Sequence, residues 1–490
     1  MLYRGLVGSL LVCLGGLVVS ALPSSSPLLQ VVPMQVLRTT MWGRMSALVL
    51  VMAGLWLLAG AWLRLMRVLA VKADTTEQTA TAVGTARLAA GMWSLPLLVA
   101  PPLFSRDGWS YAATGVMLKV GISPYDAGPA VLVPHPVTQA VDPRWMDTPT
   151  PYGPLALIWG AAAAHLTLDP YLLVILHRVA ALIGLALLLW ALPRLASWTG
   201  VNPAFATALV VASPMMMANG VGGLHNDLLM VGLMAAALVA AVERGWLVGA
   251  VLGGLAAAVK LPGGIVCVGV ALVTLGVGAT MTQRVRRLAA CAAVAFGVVI
   301  GLGLVAGVGV GWVNGLGVPG SVVTPLSLVG MLGKALDVVA TWLGATSGIV
   351  ARVVQVLGTL TGLGIATWVA LRWPSGERVG AVRAVAISVS AVMLLAPVVQ
   401  LWYFLWPLPF VAVLATRRIT VGATMVLVAV LGLAAPLDPS LHGVYVLIAY
   451  PILAIVLVLV LLFLTPSARQ RMEHTLAGIA YAGEEEQPAK

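Results

Sequence analysis

The sequence predicts an all-α, polytopic membrane protein. Of its 490 residues, 61% are hydrophobic and only 9% are charged, and the mean hydropathy is +1.04. A soluble domain could not bury that much apolar surface, so lipid is the expected solvent. The net charge of +11 comes from basic residues scattered between apolar runs. Because no basic stripe with interleaved aromatics appears, nucleic acid is not an expected partner.

Apolar stretches of helical length recur along the chain and predict about 13–15 transmembrane helices. The expected spans are 5–22, 46–63, 88–104, 170–193, 203–218, 227–242, 246–259, 261–279, 288–310, 347–371, 384–398, 400–415, 420–436 and 443–464. The first has two interpretations, a cleaved signal peptide or a retained helix, and retention is favoured because a multi-spanning protein needs no cleavage. The three cysteines lie inside apolar runs and predict no disulfide framework: Cys13, Cys267 and Cys291.

Charge is distributed unevenly between the two ends of the predicted helices. With a cytoplasmic N-terminus, most of the 27 Lys and Arg residues and every Glu fall on the cytoplasmic side. The acids that fall on the outer side or at the outer ends of helices are Asp107, Asp126, Asp142, Asp147, Asp169, Asp227, Asp337 and Asp438. This bias follows the positive-inside rule. It predicts a multi-pass plasma membrane protein with both termini in the cytoplasm and its functional acids on the outer face.

Three regions are expected along the chain. They are an N-terminal helix pair with a basic cytoplasmic loop, a membrane core, and a polar cytoplasmic tail of disordered composition: 1–87, 88–464 and 465–490.

Two long outer segments interrupt the core, near 105–169 and 311–346. The first is longer than a connector requires and contains a predicted amphipathic helix on the membrane surface, 108–120, followed by a half-helix, 154–168. The second contains a short predicted helix around 326–342.

Asp107, in Ser105-Arg106-Asp107-Gly108-Trp109, follows the apolar helix predicted from Leu88 to Phe104. An ionisable residue at a membrane interface is a functional candidate. A carboxylate there suits a general base that takes a proton from a hydroxyl nucleophile. The alternative is an acid that marks the end of a helix and pairs with Arg106.

Two further cations interrupt apolar helices near the predicted outer face. Lys260 lies at a helix-helix junction and Arg178 in the outer third of its helix. Either side chain, like Arg106, suits the phosphate of a lipid. For Lys260 the alternative is snorkelling to the interface, and for Arg178 it is pairing with Asp169.

Polar and aromatic residues mark the remaining candidate positions. Asn226 and Asp227 suit either a helix cap or, with His225, a sugar site; a metal ion there is less favoured because further spaced ligands are lacking. The aromatic stretch 400–406 suits either the interfacial belt or a saccharide platform. The candidate sugar-binding or acceptor-binding residues are Tyr111, Tyr125, Asp126, Tyr152, His225, Asn226, Asp227, Gln400, Trp402 and Tyr403.

Three acids of the first outer segment have plainer interpretations. Asp126 follows a turn-forming proline and is either functional or a turn cap. Asp142 and Asp147 flank a Pro-Arg-Trp sequence and are expected to be solvated loop charges.

Several loop motifs together resemble the actinobacterial polyprenol-phosphate-mannose-dependent α-1,6-mannosyltransferases of the MptA/MptB type. The resemblance extends from about 23 to 464 and leaves out the tail. The residues that carry it are Ser105-Arg106-Asp107, Gly121-Ile122-Ser123-Pro124-Tyr125, Gly128-Pro129-Ala130, Trp145, Thr148-Pro149-Thr150-Pro151-Tyr152-Gly153-Pro154-Leu155, His225-Asn226-Asp227, Pro397 and Gln400-Leu401-Trp402-Tyr403.

The resemblance implies a GT-C membrane glycosyltransferase. Its donor would be polyprenyl-phosphate mannose, its acceptor an α-1,6-mannan lipid of lipomannan and lipoarabinomannan biosynthesis, and its reaction an inversion with Asp107 as base. No metal is indicated. Transfer of arabinose or another sugar from the same kind of lipid is the nearest alternative. A lipid or sugar transporter and a structural partner of cell-wall assembly are the rivals from other classes, but transporters often show duplicated halves, which this sequence lacks.

Overall fold

The computed structural model describes residues 1–71, 75–321 and 324–437, together with Gln470. Within these residues the chain forms helices and turns and no strand, which confirms the predicted all-α class. The predicted helix 443–464 and the tail 465–490 lie outside the described residues, Gln470 apart. The helices are α1 Leu2–Val19, α2 Val32–Thr39, α3 Met41–Leu69, α4 Thr76–Leu98, α5 Asp107–Lys119, α6 Pro154–Leu166, α7 Pro170–Thr199, α8 Pro203–Val211, α9 Asp227–Arg244, α10 Trp246–Val259, α11 Val266–Val273, α12 Met281–Val305, α13 Leu328–Trp342, α14 Ile349–Arg372, α15 Arg378–Leu394, α16 Leu408–Ala412 and α17 Arg418–Leu433.

The described helices include several membrane spans, as predicted. Five of them, α1, α3, α7, α12 and α14, are long and apolar enough to cross a bilayer, and a sixth span results if α8 and the π-helical turn Met216–Gly222 count together. The shorter apolar helices are α6, α10 and α17, and the stretch Leu261–Val273. A helix of about 20 residues is needed for a full crossing.

Several predicted spans differ from the structure, and 400–415 and 203–218 are the clearest cases. The span 88–104 ends early, at Leu98, and 261–279 is a 3-10 turn followed by α11, which ends at Val273. Residues 400–415 form a 3-10 turn, Leu401–Leu405, and the five-residue helix α16. Pro407 and Pro409 explain the difference, because proline lacks the N–H that a continuing helix needs. The predicted span 203–218 is broken, since α8 and the π-helical turn meet at a bend of 61°.

The chain packs into two compact units, and the predicted region boundaries at 87/88 and 464/465 remain predictions. Of the described residues, the first unit comprises Met1–Gly108, Leu192–Leu224 and 412–437. Within it α1 packs on α3 and α4. A Cβ on Gly8 would lie 2.8 Å from the carbonyl oxygen of Gly54, so glycine at this crossing allows the two backbones to approach closely.

The side chain of Arg38 caps the C-terminus of α1 in the same unit. Its guanidinium donates to the carbonyl oxygens of Leu17, Val18 and Ser20 at 2.6–2.9 Å, which are otherwise unsatisfied at a helix C-terminus. Burial, and then the nearby Arg44, lower the pKa of Arg38 from its ordinary value.

The second unit comprises Trp109–Ala191 and His225–Val411. In it α10 packs on α9 and α12, and α14 packs on α13 and α15.

The prediction of a surface helix at 108–120 was right about the helix and wrong about its surroundings. Most of the side chains of α5 are buried. A Cβ on Gly115 would overlap the backbone of Gly160 in α6, so small residues let α5 pack inside the unit rather than lie on a membrane.

Candidate functional site

A buried ion pair joins the start of α9 to the end of α10. Asp227 is the first residue of α9 and is fully buried, and Lys260 follows α10 directly and is 7% exposed. Lys260 Nζ lies 2.9 Å from Asp227 Oδ1, and the same oxygen accepts a hydrogen bond of 2.6 Å from Trp406 Nε1. Charged groups removed from water need such partners, because an unpaired buried charge is strongly destabilising.

Three aromatic rings surround the ammonium group of Lys260. Its Nζ lies 4.1 Å from the ring centroid of Tyr403, 5.1 Å from that of Trp406 and 5.4 Å from that of Tyr152. These distances fall in the range of cation–π attraction. Tyr403 and Trp406 also stack on each other, with centroids 4.3 Å apart, so the lysine holds an aromatic platform in place.

A second stacked pair adjoins this platform. The rings of His225 and Trp402 lie 3.7 Å apart at an interplanar angle of 12°, and the Trp402 ring meets that of Tyr403 edge to face. We call the assembled group the polar cluster; its members are Tyr152, His225, Asp227, Lys260, Trp402, Tyr403 and Trp406. Three segments that the sequence analysis considered separately, 225–227, 260 and 400–406, therefore meet in the second unit.

Tyrosines of the first predicted outer segment extend the polar cluster. The hydroxyls of Tyr111 and Tyr152 lie 3.0 Å apart, and Tyr125 donates to the carbonyl oxygen of Tyr152 at 2.9 Å. Burial raises the pKa of Tyr125 far above its ordinary value, so its phenol is a neutral donor. The ring of Tyr111 also lies 5.9 Å from that of His177, which precedes the buried Arg178 on α7.

Asp107 begins α5 and does not end a helix. The preceding helix α4 stops at Leu98, and the backbone N–H of Asp107 donates to Ser105 Oγ at 3.1 Å. Asp107 and Tyr111 are four residues apart on α5 and share one helix face. Both Asp107 and Arg106 are half-buried.

The other predicted residues occupy more ordinary positions. Asp126 is exposed after a turn in which its N–H donates to the Ser123 carbonyl. Asn226 and Gln400 are half-buried, and Asn226 makes no side-chain cap hydrogen bond. The expectation that Asp142 is a solvated charge was wrong. Asp142 is 5% exposed, accepts the N–H of Arg144 and pairs with that guanidinium at 2.7 Å.

Trp406 is the member of the polar cluster that the sequence analysis did not single out as a site residue. Its signal was present, because Tyr403 and Trp406 are spaced to stack in one helical turn just before Pro407. In the described part of the chain no three His, Cys, Asp or Glu residues are grouped as metal ligands. The three cysteines are buried and form no disulfide with one another.

Comparison with known proteins identifies the family. Residues 2–276 match the model of the alpha-(1->6)-mannopyranosyltransferase N-terminal domain, and residues 326–464 match the MptB C-terminal domain. The chain is 32% identical over 434 residues to alpha-(1->6)-mannopyranosyltransferase A of Mycobacterium tuberculosis, an alignment that covers 86% of this chain and 81% of the relative.

Two relatives from Corynebacterium glutamicum agree with this assignment. The protein named alpha-(1->6)-mannopyranosyltransferase A is 37% identical over 207 residues, 42% of each chain. The B protein is 26% identical over 441 residues, 84% of this chain and 72% of the relative. Since one family model alone matches more than half of the sequence, and since the chain carries several membrane-spanning helices, it belongs to the MptA/MptB family of membrane mannosyltransferases.

Proposed function

We propose that this protein transfers mannose from polyprenyl-phosphate mannose to O6 of an α-1,6-mannan acceptor in lipomannan and lipoarabinomannan biosynthesis. Family membership supports the sugar and the linkage. The observation that carries the proposal at the level of the site is the polar cluster, in which aromatic faces, a carboxylate and an ammonium group are buried together in a membrane protein. Such a set suits a sugar with apolar faces and hydroxyl edges.

The proposed reaction is a single displacement. The acceptor O6 attacks the anomeric carbon, the bond from that carbon to the phosphate oxygen breaks, and the acceptor proton passes to a carboxylate. The polyprenyl phosphate leaves as an anion and needs no acid. Inversion of a β-linked donor then gives the α product.

Asp107 is the proposed base. It is half-buried and begins α5. An ionisable residue at a membrane interface is a functional candidate, and a carboxylate there suits the base that takes the proton of the acceptor hydroxyl.

Cations are required where the phosphate departs. Arg106, Arg178 and Lys260 are the proposed phosphate ligands. Among them Lys260 already pairs with Asp227 at 2.9 Å, so it is the least favoured of the three for contact with the phosphate. Arg106 is adjacent to the proposed base, which favours it for contact with the phosphate.

The depth of the site fits a lipid-linked donor. Helix α10 has 14 residues and is about 21 Å long at 1.5 Å per residue, shorter than the hydrocarbon core of about 30 Å. If α10 starts at the cytoplasmic interface, as the positive-inside rule predicts, Lys260 lies below the outer surface of the plasma membrane. The acceptor mannan and its partly exposed contacts would then face the outer side.

Besides the polar cluster, the proposed sugar contacts are Tyr111, Tyr125, Asp126, Asn226 and Gln400.

The test is mannosyl transfer in membranes that contain labelled polyprenyl-phosphate mannose and a short α-1,6-mannoside. We expect Asp107→Asn to reduce the transfer rate by about 10²- to 10⁴-fold, the usual contribution of a general base. Asp147→Asn, which changes an exposed loop acid, is the matched control and should retain wild-type activity.

Two outcomes would contradict the proposal. Full activity of Asp107→Asn would remove Asp107 as the base. Transfer of label from a nucleotide sugar in the absence of the lipid donor, or preference for a polyprenyl-phosphate pentose, would overturn the donor assignment.

A further inference from the structure

Asp227 Oδ2 and Trp402 Nε1, in the polar cluster, are buried without a hydrogen-bond partner among the described residues. Asp227 is 0% exposed and Trp402 is 6% exposed, so bulk water does not satisfy these atoms. A buried polar group without a partner is costly and uncommon in native proteins. Asp227 Oδ2 is a hydrogen-bond acceptor, and the N–H at Trp402 Nε1 is a hydrogen-bond donor.

The charges around Asp227 restrict what would satisfy its second oxygen. Lys260 and Trp406 both bind Oδ1, and the ion pair is neutral as a whole. A phosphate brought to Oδ2 would face a carboxylate oxygen that has no proton to donate, and the two anions would repel each other. A hydroxyl, in contrast, donates to Oδ2 and can accept from an indole N–H.

Sugar hydroxyls combine this chemistry with a surface for the aromatic rings. A pyranose presents donor and acceptor hydroxyls at its edge and C–H groups on its faces, and the partly exposed rings of Tyr152 and Tyr403 provide aromatic faces against which the C–H groups can pack. The stacked pair of His225 and Trp402 orients the indole that carries the orphan N–H.

We propose that Asp227 Oδ2 and Trp402 Nε1 form a hydroxyl-binding subsite for a neutral hexosyl unit. Lys260 and Trp406 act there as positioning residues, because they hold Oδ1 and leave Oδ2 to the ligand. The subsite selects by hydroxyl pattern and does not bind phosphate. This inference rests on the proposed function, since the hexosyl unit belongs either to the donor or to the acceptor of that reaction.

The experiment measures coupling between each side chain and individual hydroxyls. Transfer rates are compared for the wild type, Asp227→Asn and Trp402→Phe, with monodeoxy analogues of the donor mannose in one arm. A second arm uses monodeoxy analogues of the terminal acceptor mannose at positions other than O6. Trp159→Phe is the matched control, because its indole donates to a backbone carbonyl, that of Leu176, at 3.1 Å.

We expect one deoxy analogue to lower kcat/KM of the wild type by about 10- to 100-fold, as expected for a lost hydrogen bond to a charged group. The same analogue should cost Asp227→Asn or Trp402→Phe much less, because the partner of that hydroxyl has already been changed. Trp159→Phe should show the full wild-type penalty. The arm in which the sensitive hydroxyl appears tells whether the subsite holds the donor or the acceptor.

The outcomes separate this inference from the proposed function. If the wild type transfers no mannose from the lipid donor, the proposed function fails and the subsite with it. If the wild type is active but both variants keep the full penalty for every analogue, only the subsite is overturned. Trp402→Phe retains the ion pair, so it decides the question even if Asp227→Asn does not fold.

Discussion

Two aspartates of the second unit, Asp337 and Asp227, show how a capping acid differs from a site acid. Both belong to the group of acids that the charge pattern predicts on the outer side. Asp337 lies in α13 and accepts backbone N–H groups of Gly348, Val350 and Ala351 at 2.8, 3.1 and 3.3 Å. These donors are the otherwise unsatisfied amides at the start of α14, so helix capping accounts for Asp337 fully.

Asp227 has a different set of partners. Its carboxylate is held by side chains 33 and 179 positions away in the sequence, Lys260 and Trp406, and one of its oxygens is left over. Among the described residues, its carboxylate accepts no hydrogen bond from a neighbouring backbone N–H. An acid satisfied by nearby amides stabilises a helix, whereas an acid held by distant side chains with an unused oxygen fits the proposed hydroxyl-binding subsite.

Removing the partner of the site acid is expected to have the largest effect on stability. Lys260→Met leaves the Asp227 carboxylate buried with Trp406 alone, and such changes cost about 3–5 kcal/mol. Lys334→Met, which changes an exposed lysine of α13 near the capping acid, should stay within about 0.5 kcal/mol. Thermal unfolding of the purified protein in detergent measures both.

The double variant Asp227→Asn/Lys260→Met sharpens this prediction. It removes the unpaired charge and should regain a large part of the lost stability. Equal melting temperatures for Lys260→Met and Lys334→Met would show that the buried ion pair has no special energetic role. The expected difference in stability between the regions of Asp227 and Asp337 would then be wrong.

Substitution of a glycine beside the polar cluster should be more destabilising than substitution of a glycine beside the capping acid Asp337. A Cβ on Gly153 would overlap the carbonyl of Ala258, whereas a Cβ on Gly333 in α13 would lie 3.1 Å from the carbonyl oxygen of Ala351. Gly153→Ala is therefore expected to cost about 1–3 kcal/mol through overpacking. It should also reduce transfer by displacing the adjacent Tyr152 from Lys260. In Gly333→Ala the gain in helix propensity, about 1 kcal/mol, offsets the tighter contact.

Melting temperature and transfer rate together check this pair of variants. A Gly153→Ala protein as stable and as active as the wild type would mean that the close approach between Gly153 and the end of α10 does not position the polar cluster.

The sequence was sufficient for the class and for many helices because both depend on local composition. The predicted span 246–259 coincides with α10, and the half-helix at 154–168 is α6. Both are runs of apolar residues with clear ends: α10 follows Gly245, whose φ is 95°, and α6 begins at a proline, which is favoured in the first turn of a helix. The error at 400–415 came from counting apolar residues across Pro407 and Pro409 without weighing their effect on the backbone.

The site could be predicted only in pieces. The sequence marked 225–227, Lys260 and the 400–406 stretch as candidates, but an ion pair between residues 33 positions apart and a hydrogen bond spanning 179 positions depend on tertiary packing that no local pattern encodes. The isolated position of Lys260 in the sequence therefore suggested that it binds an anionic ligand, whereas in the structure its ammonium group pairs with Asp227. The roles of Asp107 and of the other predicted ligands stay predictions, to be decided by the transfer experiments.

The smallest effect is expected at the capping acid itself, and it should depend on pH. The hydrogen bond from the Gly348 N–H, with those from Ala351 and Val350, holds the pKa of Asp337 below its ordinary value of 3.8 despite an opposing effect of burial. A carboxyl with a lowered pKa in the folded state stabilises the protein above its ordinary pKa, and this contribution is lost as the pH falls through the lower, folded-state pKa.

Asp337→Asn keeps an oxygen that can cap the helix but loses the charge. The melting temperature of the wild type should therefore exceed that of Asp337→Asn by a small, constant amount from neutral pH down to about pH 5, and the difference should shrink below about pH 4. A wild-type advantage that grows on acidification would contradict the capping role.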